Sequence, residues 1–250
     1  MKPDYEVRLL LNPTAVLSPE QELRDTVLST FEMPQTDKKT NVQFLDTSLK
    51  DLYTAGWSAR IRKTENEADV ELTYKKRYPI TDDDIDTALT TANNDGFNAG
   101  DTKYEAQVEW GYQKQTLSIS RKKTVEASAN SGTDLPEISK SRQMMIKNAP
   151  DKFDNFMFKK WGTGKLAESR IFGPVLVSRS IGKWNGIKLY LEIWPLLNLK
   201  DPKYIVEASF KTKSLQTASI ERSKLAAFLQ SKNWLLAEDS LKTELIMKYL

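Results

Sequence analysis

The stretch Trp57-Ser-Ala-Arg60-Ile-Arg62-Lys63, followed after a short turn by Asp69-Val-Glu71-Leu-Thr73-Tyr-Lys75-Lys76-Arg77, alternates apolar and polar residues with a period of two. Successive side chains of a strand point to opposite faces, so Ala59 and Ile61 share one face while Ser58, Arg60 and Arg62 share the other. In the second run Val70, Leu72 and Tyr74 oppose Glu71, Thr73 and Lys75. Each run thus pairs an apolar face with one bearing charge of both signs. The division recurs in residues 5–11, where Val7, Leu9 and Leu11 oppose Glu6 and Arg8. Near the C-terminus Leu189, Leu191 and Ile193 oppose Lys188, Tyr190, Glu192 and Trp194, and Val206, Ala208 and Phe210 oppose Glu207, Ser209 and Lys211.

Further alternation at 41–46, 104–113, 115–125 and 171–180 predicts more strands. Ser18-Pro19-Glu20-Gln21 reads as an N-cap, a first-turn proline and a capping-box glutamine, which predicts a helix to about Phe31. Thr81-Asp82-Asp83-Asp84 caps a second helix that Gly96 ends, and others are expected at 139–147, 151–160, 219–231 and 238–248. Strands outnumber helices and come in near-consecutive pairs, which favours a mainly antiparallel sheet of α+β class. Residues 127–136 are the most loop-like, and strand patterns resume beyond them. A helical insertion around 137–161 within a single domain spanning 1–250 is therefore expected.

Two architectures satisfy this pattern. One is an open sheet whose charged face meets water. The other is a barrel whose apolar faces look outward under helices and whose charged faces line a lumen. Burying so many charges is costly unless something inside uses them. Arginine and lysine suit phosphate oxygens, and carboxylates suit Mg²⁺ or Mn²⁺.

Composition narrows the chemistry. The 250 residues include no His and no Cys, so thiolate nucleophiles, Ser-His-Asp triads and His- or Cys-ligated metals are excluded. Catalysis is left to carboxylates, Lys, Arg, Tyr, hydroxyls or a hard metal held by oxygen. A net charge of +3 is too small to point to nucleic acid. No apolar run approaches the roughly 20 residues that cross a bilayer, so a soluble protein with no membrane partner and no targeting segment is expected. Compartment and oligomeric state are left open.

The order of these motifs resembles the CYTH, or triphosphate tunnel metalloenzyme, superfamily. The resemblance rests on Glu6-Val-Arg8, Arg60-Ile-Arg62, Glu71-Leu-Thr73-Tyr-Lys75 followed by Pro79, Tyr190-Leu-Glu192 and Val206-Glu207-Ala-Ser209. It implies a closed, eight-stranded antiparallel β-barrel with surrounding helices. It also implies metal-dependent hydrolysis of inorganic tripolyphosphate or an organic triphosphate ester, with Mg²⁺ or Mn²⁺ as cofactor. By that resemblance Glu6, Glu192 and Glu207 hold the metal, with Glu6, Lys75 and Glu207 acting in catalysis. Arg8, Arg60, Arg62, Lys75, Arg179 and Lys188 bind phosphate, together with a basic residue after the middle hairpin. For that last role Arg121 fits the family's appearance, whereas Lys122 has the inward parity of Ser118 and Ser120. Departures from the family pattern fall at Arg8, Leu10 and Ser209, where acids or a lysine are expected. They motivate the alternative of a non-catalytic tunnel protein binding an anion, or a sugar through tryptophan.

The remaining motifs read as structure. The six tryptophans are expected in the core or at the barrel rim, Asp82-Asp83-Asp84 at a helix start, Lys159-Lys160 at a solvated helix end, and Gly162-Thr163-Gly164-Lys165 in a flexible turn.

Overall fold

The computed structural model describes residues 1–36, 38–126, 132–197, 203–239 and 242–249. Its strands are β1 (Asp4–Leu11), β2 (Lys38–Asp46), β3 (Trp57–Thr64), β4 (Asp69–Ile80), β5 (Glu105–Trp110), β6 (Gln115–Glu126), β7 (Arg170–Trp184), β8 (Ile187–Leu196), β9 (Lys203–Thr212) and β10 (Leu235–Leu236). The helices are α1 (Pro13–Val16), α2 (Asp25–Thr30), α3 (Asp51–Thr54), α4 (Ile85–Asn94), α5 (Ile138–Asn148), α6 (Asp151–Asp154), α7 (Trp161–Ala167), α8 (Leu215–Ser231) and α9 (Lys242–Tyr249).

Nine strands, among the described residues, close into a barrel in the order β1-β5-β6-β4-β3-β2-β7-β8-β9, with β9 returning to β1. The fold is thus the expected α+β closed barrel with surrounding helices, but it has nine strands, not eight. It is also mixed, because β5 joins β1 in parallel with Glu6 opposite Glu109. The β5–β6 hairpin supplies the difference. Its short turn forces β5 antiparallel to β6, and β5 then fills the gap beside the first half of β1. Past Val7 the same edge of β1 is taken by β10, which pairs at Leu10 and Leu11.

The apolar faces point outward and are covered. Val7, Leu9, Ile61, Leu72, Tyr74, Leu117 and Leu189 are fully buried in one cluster with α4, α5, α7 and α8, through residues such as Ala92, Met145, Leu166 and Leu225. Each strand that hides such a face contributes roughly 1.5–3 kcal/mol per large side chain, which drives closure of the sheet under its helices. Most of the tryptophans belong to this layer. Trp57 and Trp161 pack with Phe153 and Phe156, while Trp184 and Trp234 pack with Phe31 and Phe228.

A second apolar cluster lies on the inner side at one mouth. There Leu10, Phe44, Phe172, Trp194 and Leu196 receive Ile246 and Met247 of α9. The approach to α9 is anchored by Asp239, whose carboxylate accepts the backbone N–H groups of Tyr112 at 2.6 Å, Gln113 at 2.7 Å and Lys114 at 3.0 Å. Gly111 leaves room for it, since a Cβ there would lie 2.0 Å from Asp239 Oδ1.

Several helices differ from expectation. Ser18 caps a tight turn by accepting the Glu20 N–H at 3.2 Å, and the helix begins only at Asp25. Burial of Leu17 and Leu23 through a β-bridge outweighs the local capping pattern. The helix expected over 151–160 stops at Asp154, and a new one begins at Trp161 after Lys160 takes a left-handed φ of 64°. The Gly162–Lys165 segment is therefore helical and not a turn, with Gly162 packed so closely on Phe153 that a Cβ would meet its ring at 2.6 Å. The last helix starts at Lys242, later than the expected 238. Asp84 caps α4 as expected, by accepting the Thr87 N–H at 2.9 Å. Residues 127–131 of the expected loop lie outside the described residues. Helices α5, α6 and α7 fill the connection from β6 to β7. No helix among the described residues is long and apolar enough to cross a membrane.

Candidate functional site

Strand alternation sends the charged faces inward, where they line a lumen of about 390 Å³. Among the described residues its wall carries nine cationic and six acidic side chains, a positive excess. The size lies within the range of small-molecule sites.

One wall is basic. Across the β3–β4 pairing Arg62 lies opposite Glu71 and Arg60 opposite Thr73. Arg60 Nη2 donates to Glu71 Oε1 at 3.2 Å, and Arg62 Nη2 to Glu71 Oε2 at 3.0 Å. Two guanidinium groups thus share one carboxylate. Burial and the neighbouring Arg62 push Arg60 down to about 10, with Glu71 only partly offsetting them. Glu71 is held below the usual carboxylate range because Arg62, Arg60 and Lys122 together outweigh the effect of its burial.

In the middle, three cations converge on Glu109 of β5. Arg8 Nη2 donates to it at 2.8 Å, Lys75 Nζ at 2.6 Å, and Arg77 Nε stands 3.6 Å away. Burial opposes ionisation of Glu109, but Arg8, Lys75 and Arg77 keep it well below the ordinary range. Burial likewise pushes the Lys75 ammonium down to about 8 despite Glu109. The buried Nε donors of Arg8 and Arg60 make no hydrogen bond to other protein groups, and Arg77 Nε has its ion pair with Glu109.

The other wall is acidic. Glu192 and Glu207 face each other across β8 and β9. Lys242 Nζ lies between them, donating to Glu192 Oε2 at 2.7 Å and Glu207 Oε1 at 2.8 Å. Its charge also sits 4.7 Å from the centroid of the Trp194 ring. Arg179 Nε donates to Glu192 Oε1 at 2.9 Å, and Trp194 Nε1 to Glu192 Oε2 at 2.9 Å. Burial favours the neutral form of both acids. Lys242 and Arg179 overcome it at Glu192, which is held below the usual range. At Glu207 burial prevails, aided by the Glu192 charge, and its carboxyl is raised.

The lumen thus brings together Glu6, Arg8, Arg60, Arg62, Lys75, Lys122, Arg179, Glu192 and Glu207. Of the two residues weighed on β6, Lys122 faces inward, where it pairs with Glu105. Arg121 lies on the outer face and donates to the Lys103 carbonyl at 2.9 Å, because it shares the parity of buried Leu117 and Ile119. Lys188 is also away from the lumen. It is exposed beside the β7–β8 turn, opposite Lys183, where the strands run past the barrel mouth. Of the tryptophans only Trp194, among the described residues, lines the lumen. Sequence reasoning missed Arg77, Glu109 and Lys242. The first two were accessible, since Arg77 continues the parity of Lys75, and Glu109 that of Gln107 opposite Val108. Nothing in the local pattern marks Lys242.

The carboxylates expected to hold Mg²⁺ or Mn²⁺ do not fit that task. Both oxygens of Glu192 are already engaged, and Lys242 occupies the space between Glu192 and Glu207. Glu6 stands apart beside Lys211 at 3.5 Å. No three acidic residues converge among the described residues. A hard divalent ion prefers several carboxylate or carbonyl oxygens around it.

No family model matches the chain, and no curated protein matches it. Solved structures do. A putative adenylyl cyclase from Hippeastrum, described as having a dominant triphosphatase activity, is 17% identical with a TM-score of 0.54, over 97% of this chain and 94% of its own. A putative adenylate cyclase from Bacillus halodurans is 12% identical with a TM-score of 0.55, over 96% of this chain and 95% of its own. At these identities the likeness is one of fold, and it is consistent with the tunnel fold that the sequence motifs resemble.

Proposed function

We propose that the lumen binds the triphosphate chain of inorganic tripolyphosphate or of a triphosphate ester. The observation that carries this reading is the gathering of Arg8, Arg60, Arg62, Lys75 and Arg77 on the wall of one lumen with excess positive charge. Phosphate oxygens suit them because guanidinium groups bind phosphate through paired, charge-assisted hydrogen bonds. Arg60 and Arg62 at one end and Arg8, Lys75 and Arg77 at the centre would grip successive phosphoryl groups, with Lys122 and Arg179 on the flanks. The fold likeness to a protein described as a triphosphatase supports the same class of ligand.

Hydrolysis is a second reading, favoured by Lys75, whose ammonium titrates at about 8 inside the lumen. Water would attack the terminal phosphorus in line while the bridging P–O bond breaks. The arginines would neutralise the charge gathering on the departing pyrophosphate, Lys75 would supply its proton, and the proton shed by the attacking water would pass to bulk solvent, from which Lys75 is reprotonated. The role expected of Glu6 and Glu207 as metal-holding catalytic acids forms no part of this step.

The test is calorimetry with tripolyphosphate, pyrophosphate, ATP and thiamine triphosphate, beside phosphate release from the same panel. Saturable binding of triphosphates is the expected result, and hydrolysis adds phosphate release that Lys75→Met abolishes. Absence of binding across the panel sinks the proposal.

A further inference from the structure

Lys242 arrives from α9, far in sequence from the strands that carry its two acids. Its helix is fixed in the barrel mouth by Ile246 and Met247, both buried against Phe44, Phe172 and Trp194. The neighbouring Thr243 Oγ1 receives Arg77 Nη2 at 3.4 Å. The ammonium is therefore not a wandering surface charge. It meets two carboxylates and one indole face at hydrogen-bond or cation–π distance, which satisfies a buried cation in full.

We propose that Lys242 is the resident cation of the tunnel, standing between Glu192 and Glu207 where a divalent ion would otherwise bind, so that the lumen takes its polyphosphate without Mg²⁺ or Mn²⁺. The inference rests on the polyphosphate reading above for its ligand, but the displacement of metal by Lys242 stands on geometry alone. A metal entering this pair would have to expel the ammonium and break the bonds of Arg179 and Trp194 to Glu192. With Lys242 in place, the two acids carry a balancing positive charge and do not repel an incoming polyanion. Lys242 acts here as a positioning residue, holding the acidic wall shut to metal.

Two measurements on the full chain test this. In the first, Mn²⁺ is titrated into the protein alone and followed by its paramagnetic resonance signal. Wild type and Lys242→Arg leave the ion free, whereas Lys242→Met binds it at least about tenfold more tightly than wild type. Stoichiometric Mn²⁺ binding by wild type overturns the inference, and this holds even if Lys242→Met fails to fold. In the second, tripolyphosphate binding is measured in EDTA and in Mg²⁺. Binding that persists in EDTA supports the inference, and binding seen only with Mg²⁺ overturns it while leaving the polyphosphate reading intact. If neither condition gives binding, the polyphosphate reading fails, and the Mn²⁺ titration alone decides the role of Lys242.

Discussion

Arg8 donates from Nη2 to Glu109 Oε2 at 2.8 Å across the parallel pairing of β1 and β5, so the strand that makes the barrel nine-membered also supplies the acid that holds its central cations. With Lys75 and Arg77 on the same carboxylate, Glu109 is the electrostatic keystone of the lumen.

Removing that charge leaves three buried cations facing one another. Glu109→Gln is expected to destabilise the fold by about 3–5 kcal/mol, the usual consequence of breaking a buried ion pair from one side. Chemical denaturation measures it. An unchanged midpoint would show that the three cations do not depend on Glu109.

Arg60 and Arg62 share Glu71, whose side chain keeps 24% of its exposure, so their loss is tolerated by the fold. The Arg60→Ala/Arg62→Ala double variant is expected to fold normally and to lose at least roughly tenfold in tripolyphosphate affinity, since each hydrogen bond to a charged group contributes about 1.5–3 kcal/mol. Unaltered calorimetric affinity in the folded double variant would remove both residues from the site.

Lys75 gives the lumen a pH dependence. Its folded value of about 8 lies below the ordinary 10.5, so between these limits the unfolded chain holds a proton that the folded chain has released. Its contribution to stability therefore rises as pH climbs from about 8 to about 10.5. Triphosphate affinity moves the other way, being strongest below about 8 and falling above it as the positive charge is lost. Lys75→Arg, which stays charged, is expected to flatten that fall. A wild-type affinity that is level from pH about 7 to about 9.5 would contradict the assignment.

Gly111 permits the approach of Asp239, and with it the anchoring of the segment that leads to α9. Gly111→Ala places a Cβ against Oδ1 at a separation of 2.0 Å, so the carboxylate must retreat from the turn amides it caps. A loss of about 1–3 kcal/mol is expected from the forced shift. Hydrogen exchange should show faster exchange at Tyr112, Gln113 and Lys114 in the variant. Exchange equal to that of wild type would mean that Asp239 does not hold the turn.

The strands were legible because their signal is local. Residues such as Val70, Leu72 and Tyr74 alternate with Glu71, Thr73 and Lys75, and a period of two survives in the chain whatever the strands later pair with. That alternation placed Arg60, Arg62, Glu192 and Glu207 on one face, and the absence of His and Cys left oxygen and nitrogen charges as the only chemistry on it. It also favoured Lys122 over Arg121 by parity. Helix ends were less legible, since Ser18 carries a good local cap yet gives way to the burial of Leu17 and Leu23.

Closure, strand count and the partner of each charge were decided only in three dimensions. Pairing depends on which edges meet, and the parallel contact of β1 with β5 joins residues about a hundred positions apart, beyond the reach of any periodicity. The same holds for Lys242. Its helix is short, and it settles in the mouth because Ile246 and Met247 find an apolar surface that exists only after the barrel has closed. The sequence by itself determined a sheet with one apolar and one charged face, because side-chain direction follows from the backbone. Tertiary structure alone decided that the acids of that charged face hold a lysine, because a buried charge takes whichever counter-ion the fold brings within reach.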